Sequence, residues 1–312
     1  MKHYGWVPNP DAVAAFVATL PWESFADALE GGLYGDDTDA LLYRAMAQLT
    51  GEQRLKSRNQ GNVGSCVGNG TASAGDITTA CEIVIKKEPE KWVARQAADA
   101  AYGMSRQIVN QLGRWDGSNG SWAAKAIMEW GTLHEVPYSG HDLSSYSAQR
   151  CKEWASKGVP AALREEAGKH KMGTAAQVKS AEEAKAALQN GYGINVCSNQ
   201  GFSAKRDSDG FMRASGSWAH SMAVIGYRGG NRRGFLIWQS WGDNWGSGPV
   251  WPEDMPLASF WAEWDVFDRM CRAGDTFAYS NYSGFPRQSP WDWMIDAGKS
   301  KPETWGWMEN QS

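Results

Sequence analysis

The loop Gln60-Gly61-Asn62-Val63-Gly64-Ser65-Cys66 is the most informative segment of the chain. It consists mainly of glycines and small polar residues, and it leads directly into a segment of helical character from Cys66 to about Lys87, which Pro89 ends. Cys66 is therefore expected at the N-terminus of a helix, where the macrodipole favours a negative charge on sulfur by about 0.3–1 kcal/mol. A cysteine in that position is a candidate nucleophile.

A candidate base and its orienting group lie far downstream of this loop. Apolar residues predict strands at 219–227 and 234–240, joined as a hairpin with a long loop. If Tyr227 pairs roughly with Gly234, the numbers of paired residues sum to about 461, so Gln239 lies within a couple of residues of His220 across the ladder. The sequence thus predicts an imidazole beside a carboxamide.

These residue types together predict acyl transfer by a thiol. Cys66 would attack a carbonyl carbon, and His220 would act first as base and then as acid. The backbone N–H of Cys66 and the side-chain amide of Gln60, six residues upstream, would donate to the oxyanion. Gln239 would hold the imidazole of His220 in orientation without altering the net charge.

Three separated blocks of the chain resemble the papain-like cysteine peptidases. The loop at 60–66 is similar to their nucleophile loop, and the stretch 219–227 is similar to their histidine strand. The block 239–246, Gln-Ser-Trp-Gly-Asp-Asn-Trp-Gly, resembles a third motif that normally begins with Asn. The blocks stand in the order of the family, and the chain looks like its compact bacterial and phage-type members. The spacing of 154 residues from Cys66 to His220 is slightly beyond the roughly 130–150 of such enzymes.

The resemblance implies an α+β fold of two lobes, a helical left lobe that carries the cysteine and an antiparallel β right lobe that carries the histidine. We expect an N-terminal extension packed on the catalytic domain over residues 1–56 and a helical lobe with the nucleophile over 57–140. A β-rich lobe with the histidine and glutamine is expected over 141–275, followed by a Trp-rich C-terminal tail over 276–312.

The resemblance also implies where a substrate would bind. Gly117 and Ser118 would offer backbone groups to an extended peptide, in the manner of strand addition. Trp241 would shelter the contact between His220 and Gln239 from water and line the leaving-group side of the cleft.

The chain departs from the family pattern at several positions. Gln239 stands where the family has Asn, which moves the same groups by one methylene, so reduced or retained activity is expected. Val63 replaces a cysteine that commonly begins a disulfide, and Val67 replaces the usual aromatic residue. The 50-odd residues before the loop look like part of the domain and not like a long inhibitory pro-segment, which leaves the control of activity unexplained.

Composition excludes several classes of function. The 312 residues carry a formal charge of −4, which argues against nucleic acid as the main partner. An N-terminal apolar h-region and a run of 18 apolar residues are both absent from the sequence, so we expect no signal peptide, no membrane span, and a cytoplasmic or virion-associated location. With five His and five Cys and no Cys-x-x-Cys, neither a metal nor another cofactor is expected. The odd number of cysteines leaves at least one thiol unpaired within the chain.

The function that these patterns predict is a cysteine endopeptidase, which hydrolyses peptide or protein substrates through a thioester acyl-enzyme. One alternative is a papain-fold structural or binding component of a larger assembly, for example a phage virion protein, with reduced or no protease activity. A transglutaminase-like or amidase reaction is a third possibility. The tail places four tryptophans (Trp291, Trp293, Trp305 and Trp307) in a weakly periodic segment, which predicts packing on the domain itself or on a protein partner.

Overall fold

The computed structural model describes residues 5–30, 32–33 and 36–286. Within these ranges the helices are α1 (Pro10–Val17), α2 (Phe25–Ala28), α3 (Tyr43–Thr50), α4 (Cys66–Lys86), α5 (Ala98–Gln107), α6 (Gly120–Glu129), α7 (Ala148–Lys157), α8 (Ala161–Ala167), α9 (Ala181–Gln189) and α10 (Trp264–Cys271). The strands are β1 (Ala40–Leu41), β2 (Pro137–Tyr138), β3 (His141–Asp142), β4 (Thr174–Gln177), β5 (Ile194–Arg206), β6 (Met212–Arg228), β7 (Gly234–Trp238), β8 (Ser259–Glu263) and β9 (Asp275–Ser280).

Helix α4 is the central helix of the fold and begins at the cysteine, as the sequence predicts. Most of its residues are buried, because α3, α5, α6 and the sheet all pack against it. Gly68 allows the close approach of α5, since a Cβ there would lie only 2.6 Å from the carbonyl oxygen of Ala98. The helix ends at Lys86, and the next residue, Lys87, has a left-handed φ of 56° two residues before Pro89.

The main sheet is antiparallel and has the order β4-β9-β5-β6-β7-β8, with the short β1 also paired to β6. The pairs Val224–Ile237 and Ala223–Trp238 both have numbers that sum to 461, so the predicted register is correct at the end of the hairpin that leads to Gln239. Nearer the turn, Tyr227 pairs with Phe235 and not with Gly234, because an irregularity between Val224 and Gly226 shifts the register by one residue. This register places the residue after β7, Gln239, near the middle of β6, where His220 lies.

Three local predictions differ from the structure. The composition of 91–112 predicts a helix, but residues 91–97 are extended because the backbone N–H of Gln96 donates to Asp76 and that of Ala97 to Leu133. The helical pattern at 36–50 yields a helix only from Tyr43, since β1 pairs with β6 instead. Strand β6 begins at Met212, well before the predicted start at 219, because it pairs with β5 in a long hairpin.

The two largest hydrophobic clusters of the described residues hold the fold together. The larger core lies between the main sheet and α4 and includes Val13 and Phe16 of α1, with the ring of Phe16 packed edge-on against Phe277 at 5.5 Å. The smaller joins α5 and α6 to α7 and α8, two helices within the stretch 141–173, whose sequence lacks a clear apolar period. Residues of the expected β-rich range 141–275 therefore also contribute to the helical side.

The fold is thus α+β, with a mainly helical side that carries Cys66 and an antiparallel sheet that carries His220, as predicted. No helix in the described ranges has the length and apolar character that crossing a bilayer requires. The predicted packing of the Trp-rich tail concerns residues 287–312, which lie outside the described residues.

Candidate active site

Cys66 is the first residue of α4, and its side chain has no solvent exposure. Burial raises the pKa of the thiol to about 12, because a thiolate without water loses its solvation. Backbone hydrogen bonds from Ser221, Gly5 and Val67 act in the opposite direction and lower this pKa. Ser221 directly follows His220, so the sulfur lies against the strand that carries the imidazole.

The predicted pairing of imidazole and carboxamide is present. His220 Nε2 lies 2.8 Å from Gln239 Oε1, and the two side chains are 0% and 2% exposed. Because a carboxamide oxygen can only accept, Nε2–H donates and the lone pair of the neutral ring is on Nδ1. This is the tautomer in which Nδ1 can take a proton from a thiol.

Aromatic rings cover the pair from one side. Trp241 stacks on the imidazole of His220, with ring centroids 4.5 Å apart and 27° between the planes. Trp218 and Trp245 pack edge-on against Trp241 at 5.0 and 5.3 Å. The sheltering position that the resemblance implies for Trp241 therefore agrees with its place in the structure.

Gln60 reaches the site because its loop pairs with the segment that follows β7. The backbone N–H of Gln60 donates to the carbonyl of Ser240 at 2.9 Å, and the Ser240 hydroxyl donates to Gln60 Oε1 at 2.8 Å. The amide nitrogen Nε2 donates one of its two hydrogens to the carbonyl of Val63 at 2.9 Å. Gln60 is thereby fixed between the cysteine loop and the residue after Gln239.

A buried ion network stiffens this junction, and the sequence patterns did not predict it. The guanidinium of Arg58 donates to Asp76 and to Glu135, both at 2.7 Å, and to the hydroxyl of Ser73 at 3.1 Å. The carbonyl of Arg58 accepts the N–H of Gly242 at 2.9 Å. Arg58 thus ties α4 to the segment after β7; an arginine within the glycine-rich stretch was its only sequence signal.

The loop before α6 presents backbone groups to the cleft, but only one of the two predicted residues does so. The N–H of Gly117 is directed away from a substrate because it donates to the Tyr102 hydroxyl at 2.7 Å, and the carbonyl of Gly117 accepts from Arg106. The N–H and C=O of Ser118 are instead directed at residues 5–7, the N-terminal segment.

Two buried or partly buried carboxylates near the cleft were also missed. Asp116 accepts the N–H of Gly64 at 2.7 Å and so joins the cysteine loop to the loop before α6. Asp275 is 1% exposed and accepts the N–H groups of Gly120 and Ser121 at 2.7 and 2.8 Å, while burial raises its pKa to about 6. The backbone N–H groups named here lie more than 50 residues away from these carboxylates in sequence, so no local pattern indicated these contacts.

Comparisons with known proteins agree with this architecture. No family model matches the chain, and no curated protein matches it in sequence. Xylellain, a cysteine protease from Xylella fastidiosa, has a similar structure, with a TM-score of 0.57 at 17% identity over 89% of this chain and 95% of that one.

Two proenzymes from other organisms are also similar. Procathepsin B S9 from Trypanosoma congolense has a TM-score of 0.53 at 11% identity, over 93% of this chain and 87% of that one. Digestive procathepsin L 3 from the larval midgut of Tenebrio molitor has a TM-score of 0.51 at 12% identity, over 89% and 83%. The chain therefore has the fold of the papain-like cysteine proteases.

Proposed function

We propose that the chain is a cysteine endopeptidase that hydrolyses peptide bonds through a thioester intermediate. The observation that carries the proposal is the hydrogen bond between His220 and Gln239 beneath Trp241. The nucleophile is close to this pair, because the backbone of Ser221, the residue after His220 on β6, hydrogen-bonds to the sulfur of Cys66. This arrangement combines a nucleophile, a base in a defined tautomer and a group that orients the base.

The reaction would proceed in two halves. His220 Nδ1 accepts the thiol proton while the sulfur of Cys66 bonds to the peptide carbonyl carbon, and the oxyanion is held by the Cys66 N–H and the Gln60 amide. The C–N bond then breaks, and the imidazolium gives its proton to the leaving amine. Water, deprotonated by His220, attacks the thioester, and the acid product leaves as the thiol is restored.

The replacement of Asn by Gln at the orienting position is compatible with this mechanism. Although Gln239 has an additional methylene, its oxygen lies 2.8 Å from Nε2, an ordinary hydrogen-bond length. The backbone of Gln239 is held as well, since the hydroxyl of Ser57 donates to its carbonyl at 2.7 Å. The longer side chain therefore places the same acceptor at the ring.

The proposal is tested with an epoxide-type inhibitor of thiol proteases and intact mass measurement. We expect one equivalent of label, which Cys66→Ala abolishes and Cys81→Ala leaves in place, because Cys81 is an equally buried thiol of the same helix. Since residues 5–7 cover the thiol, the test includes Gly5→Ala as well as the unaltered chain. Absence of label in both would contradict the proposal and leave a papain-like fold in a structural or binding role.

A further inference from the structure

A buried polar trio, Thr71, Asn195 and Ser221, lies between helix α4 and the main sheet. The side-chain nitrogen Nδ2 of Asn195 donates to the hydroxyl oxygen of Thr71 at 3.0 Å, and the hydroxyl of Ser221 donates to Asn195 Oδ1 at 2.6 Å. All three residues have 0% exposure. Because Thr71 belongs to α4 and Ser221 to β6, Asn195 of β5 joins the helix that carries Cys66 to the strand that carries His220.

The trio is adjacent to both of the groups that would react. Ser221 follows His220 in sequence, and its backbone hydrogen-bonds to the sulfur of Cys66. Thr71 lies five residues after Cys66, in the second turn of α4. A change in the hydrogen bonds of the trio would therefore move the thiol relative to the imidazole.

Gly70 lets the helix approach the trio closely. A Cβ atom at this position would lie 2.4 Å from Asn195 Oδ1 and 2.9 Å from Ser221 Oγ. Both distances are shorter than van der Waals contact, so a side chain at residue 70 would push α4 away from the sheet. The backbone of α4 thus packs directly on the two polar side chains.

Hydrogen bonds fix this contact in a way that apolar packing would not. Neighbouring residues of α4 and β5, including Ala74, Ile77, Ile194 and Val196, belong to the larger apolar core. Apolar attraction has no preferred direction, so it does less to fix the position of one element along another. A hydrogen bond weakens steeply when its geometry changes, and a buried polar group that loses its partner costs free energy. The trio therefore resists displacement of α4 along β6.

We propose that Asn195 is a positioning residue, which holds Cys66 at reacting distance from His220 by joining α4 to β6. The inference rests on the proposed function, since it concerns the geometry of the same thiol and imidazole. Reacting atoms must approach to about 3–3.5 Å, and a misplacement of about 1 Å can cost roughly 10²-fold in rate. Asn195 acts on this distance through its two partners, Thr71 and Ser221.

The test compares Thr71→Val with Thr78→Val. Thr78 is the matched control, because it is a second threonine of α4 with 0% exposure. Its hydroxyl also bonds to the backbone at the sheet, donating to the carbonyl of Tyr279 at 3.2 Å and accepting the N–H of Gly193 at 2.9 Å. It lies seven residues, or about two turns, further from Cys66. Both substitutions keep the size of the side chain and remove a buried hydroxyl, so urea denaturation should show similar losses of stability.

Only Thr71→Val should slow the reaction. Peptide hydrolysis is measured with Gly5→Ala as the common background, because a Cβ on Gly5 would overlap the carbonyl group of Gly64 and so displace the residues that cover the thiol. We expect Thr71→Val to lower kcat roughly tenfold with little change in KM, and Thr78→Val to leave both constants unchanged. Equal kcat values in the two variants would overturn the proposal, because a structural role alone affects both equally.

A conservative variant separates position from stability. Thr71→Ser removes a buried methyl group but keeps the acceptor for Asn195, so it should lower the free energy of unfolding and recover most of the kcat that Thr71→Val loses. Asn195→Leu removes both hydrogen bonds at similar volume and should lower kcat roughly 100-fold. If Asn195→Leu does not fold, the two variants of Thr71 still decide. A kcat for Thr71→Ser as low as that of Thr71→Val would overturn the role given to this hydrogen bond.

Alkylation of Cys66 by iodoacetamide needs no turnover, so the two proposals fail separately. Because the thiolate is the reactive form of a thiol, alkylation at pH 7.5 depends on proton transfer to His220. Slower alkylation in Thr71→Val than in Thr78→Val, without hydrolysis in any protein, would retain the positioning role and contradict the peptidase. Hydrolysis with equal kcat in both threonine variants would retain the peptidase and overturn the positioning role.

Discussion

His220 and Cys66 are both without solvent exposure, but different kinds of structure cover them. The histidine is covered by Trp241, which belongs to the packed aromatic group at the end of β7. The cysteine is covered by Gly5 and Trp6, which are held by a few hydrogen bonds and one buried ring. Cover of the first kind consists of aromatic side chains packed against the larger core, whereas cover of the second kind depends mainly on backbone hydrogen bonds to Ser118 and Ala219. The histidine side therefore keeps the base oriented and dry, and the cysteine side decides access.

The largest effect is expected when the base is removed while the thiol is open. In the Gly5→Ala background, His220→Ala should lower kcat/KM for a peptide substrate by roughly 10³-fold or more, because the thiol of Cys66 loses its proton acceptor. Iodoacetamide should still reach Cys66. His141→Ala, at the small β2–β3 hairpin, serves as control. A loss of activity below tenfold would show that His220 is not the base.

Arg58 joins α4, which carries Cys66, to the segment after β7, which carries Gln239, so its loss should destabilise both sides of the cleft. Arg58→Met leaves the carboxylate of Asp76, 1% exposed, without its closest guanidinium, and we expect the free energy of unfolding to fall by about 3–5 kcal/mol. Urea denaturation measures this free energy of unfolding. Lys157→Met removes an exposed ion pair with Glu153 and should cost less than about 1 kcal/mol. Similar losses in the two variants would contradict the structural role given to the network.

Gln239 acts on the histidine side alone. Gln239→Ala should lower kcat roughly 10- to 100-fold with little change in KM, because the buried Nε2–H of His220 loses its acceptor and the ring its orientation. Steady-state kinetics in the Gly5→Ala background measure both constants. Gln149→Ala, on the exposed face of α7, should leave both unchanged. An unchanged kcat in Gln239→Ala would remove this residue from the site.

The smallest effect is expected for His134, which belongs neither to the histidine side nor to the cysteine side of the cleft. Burial first, and the neighbouring His170 second, lower the pKa of His134 to about 4 from 6.5. The folded state therefore disfavours the charged imidazole of His134. The free energy of unfolding has its full value with respect to this group above pH 6.5 and falls progressively as the pH is lowered towards 4. His134→Gln should show a smaller drop in Tm between pH 7.5 and pH 4.5 than the unaltered chain. His141→Gln should show the same drop in Tm as the unaltered chain. An equal drop in Tm in all three proteins would contradict the role given to His134.

The parts of the fold that the sequence predicted are those with a local signal. The Asn9 side chain caps α1, as expected for Asn before Pro, and Ser180 caps α9. Apolar runs in the two strands of one hairpin indicated its register, and that register alone was enough to predict Gln239 near His220. The helix that begins at Cys66 was indicated by apolar or small residues at helical spacing further along, such as Ile77, Ala80 and Val84, although its first turns contain Gly68 and Gly70.

Features that depend on distant partners could not be predicted. Residues 91–97 have a helical composition, but hydrogen bonds to Asp76 and Leu133 hold them extended. Helices α7 and α8 bury only a narrow stripe, including Trp154 and Leu163, among many charged residues, which obscured the period. The strands β5 and β6 continue through polar residues because they pair with each other and not because either has strand character.

The cover over the cysteine is the clearest case of such dependence. Gly5 and Trp6 bind Ser118, Ala219 and Asp275, which are separated from them by more than 100, 200 and 260 residues of sequence. A single tryptophan such as Trp6 has no local pattern that would indicate an anchor. Recognition of the cleft from motifs therefore located the nucleophile and its partners but not the segment that closes over them.

The contact between Trp6 and Asp275 also has a consequence for biosynthesis. The ribosome makes Asp275 almost 270 residues after Trp6, so the anchor cannot form until the segment that carries Asp275 has emerged. Until then the groove between the lobes has no walls to hold residues 5–7. A nascent chain therefore passes through a stage in which the thiol of Cys66 lacks this cover, and that stage cannot end before Asp275 has been made.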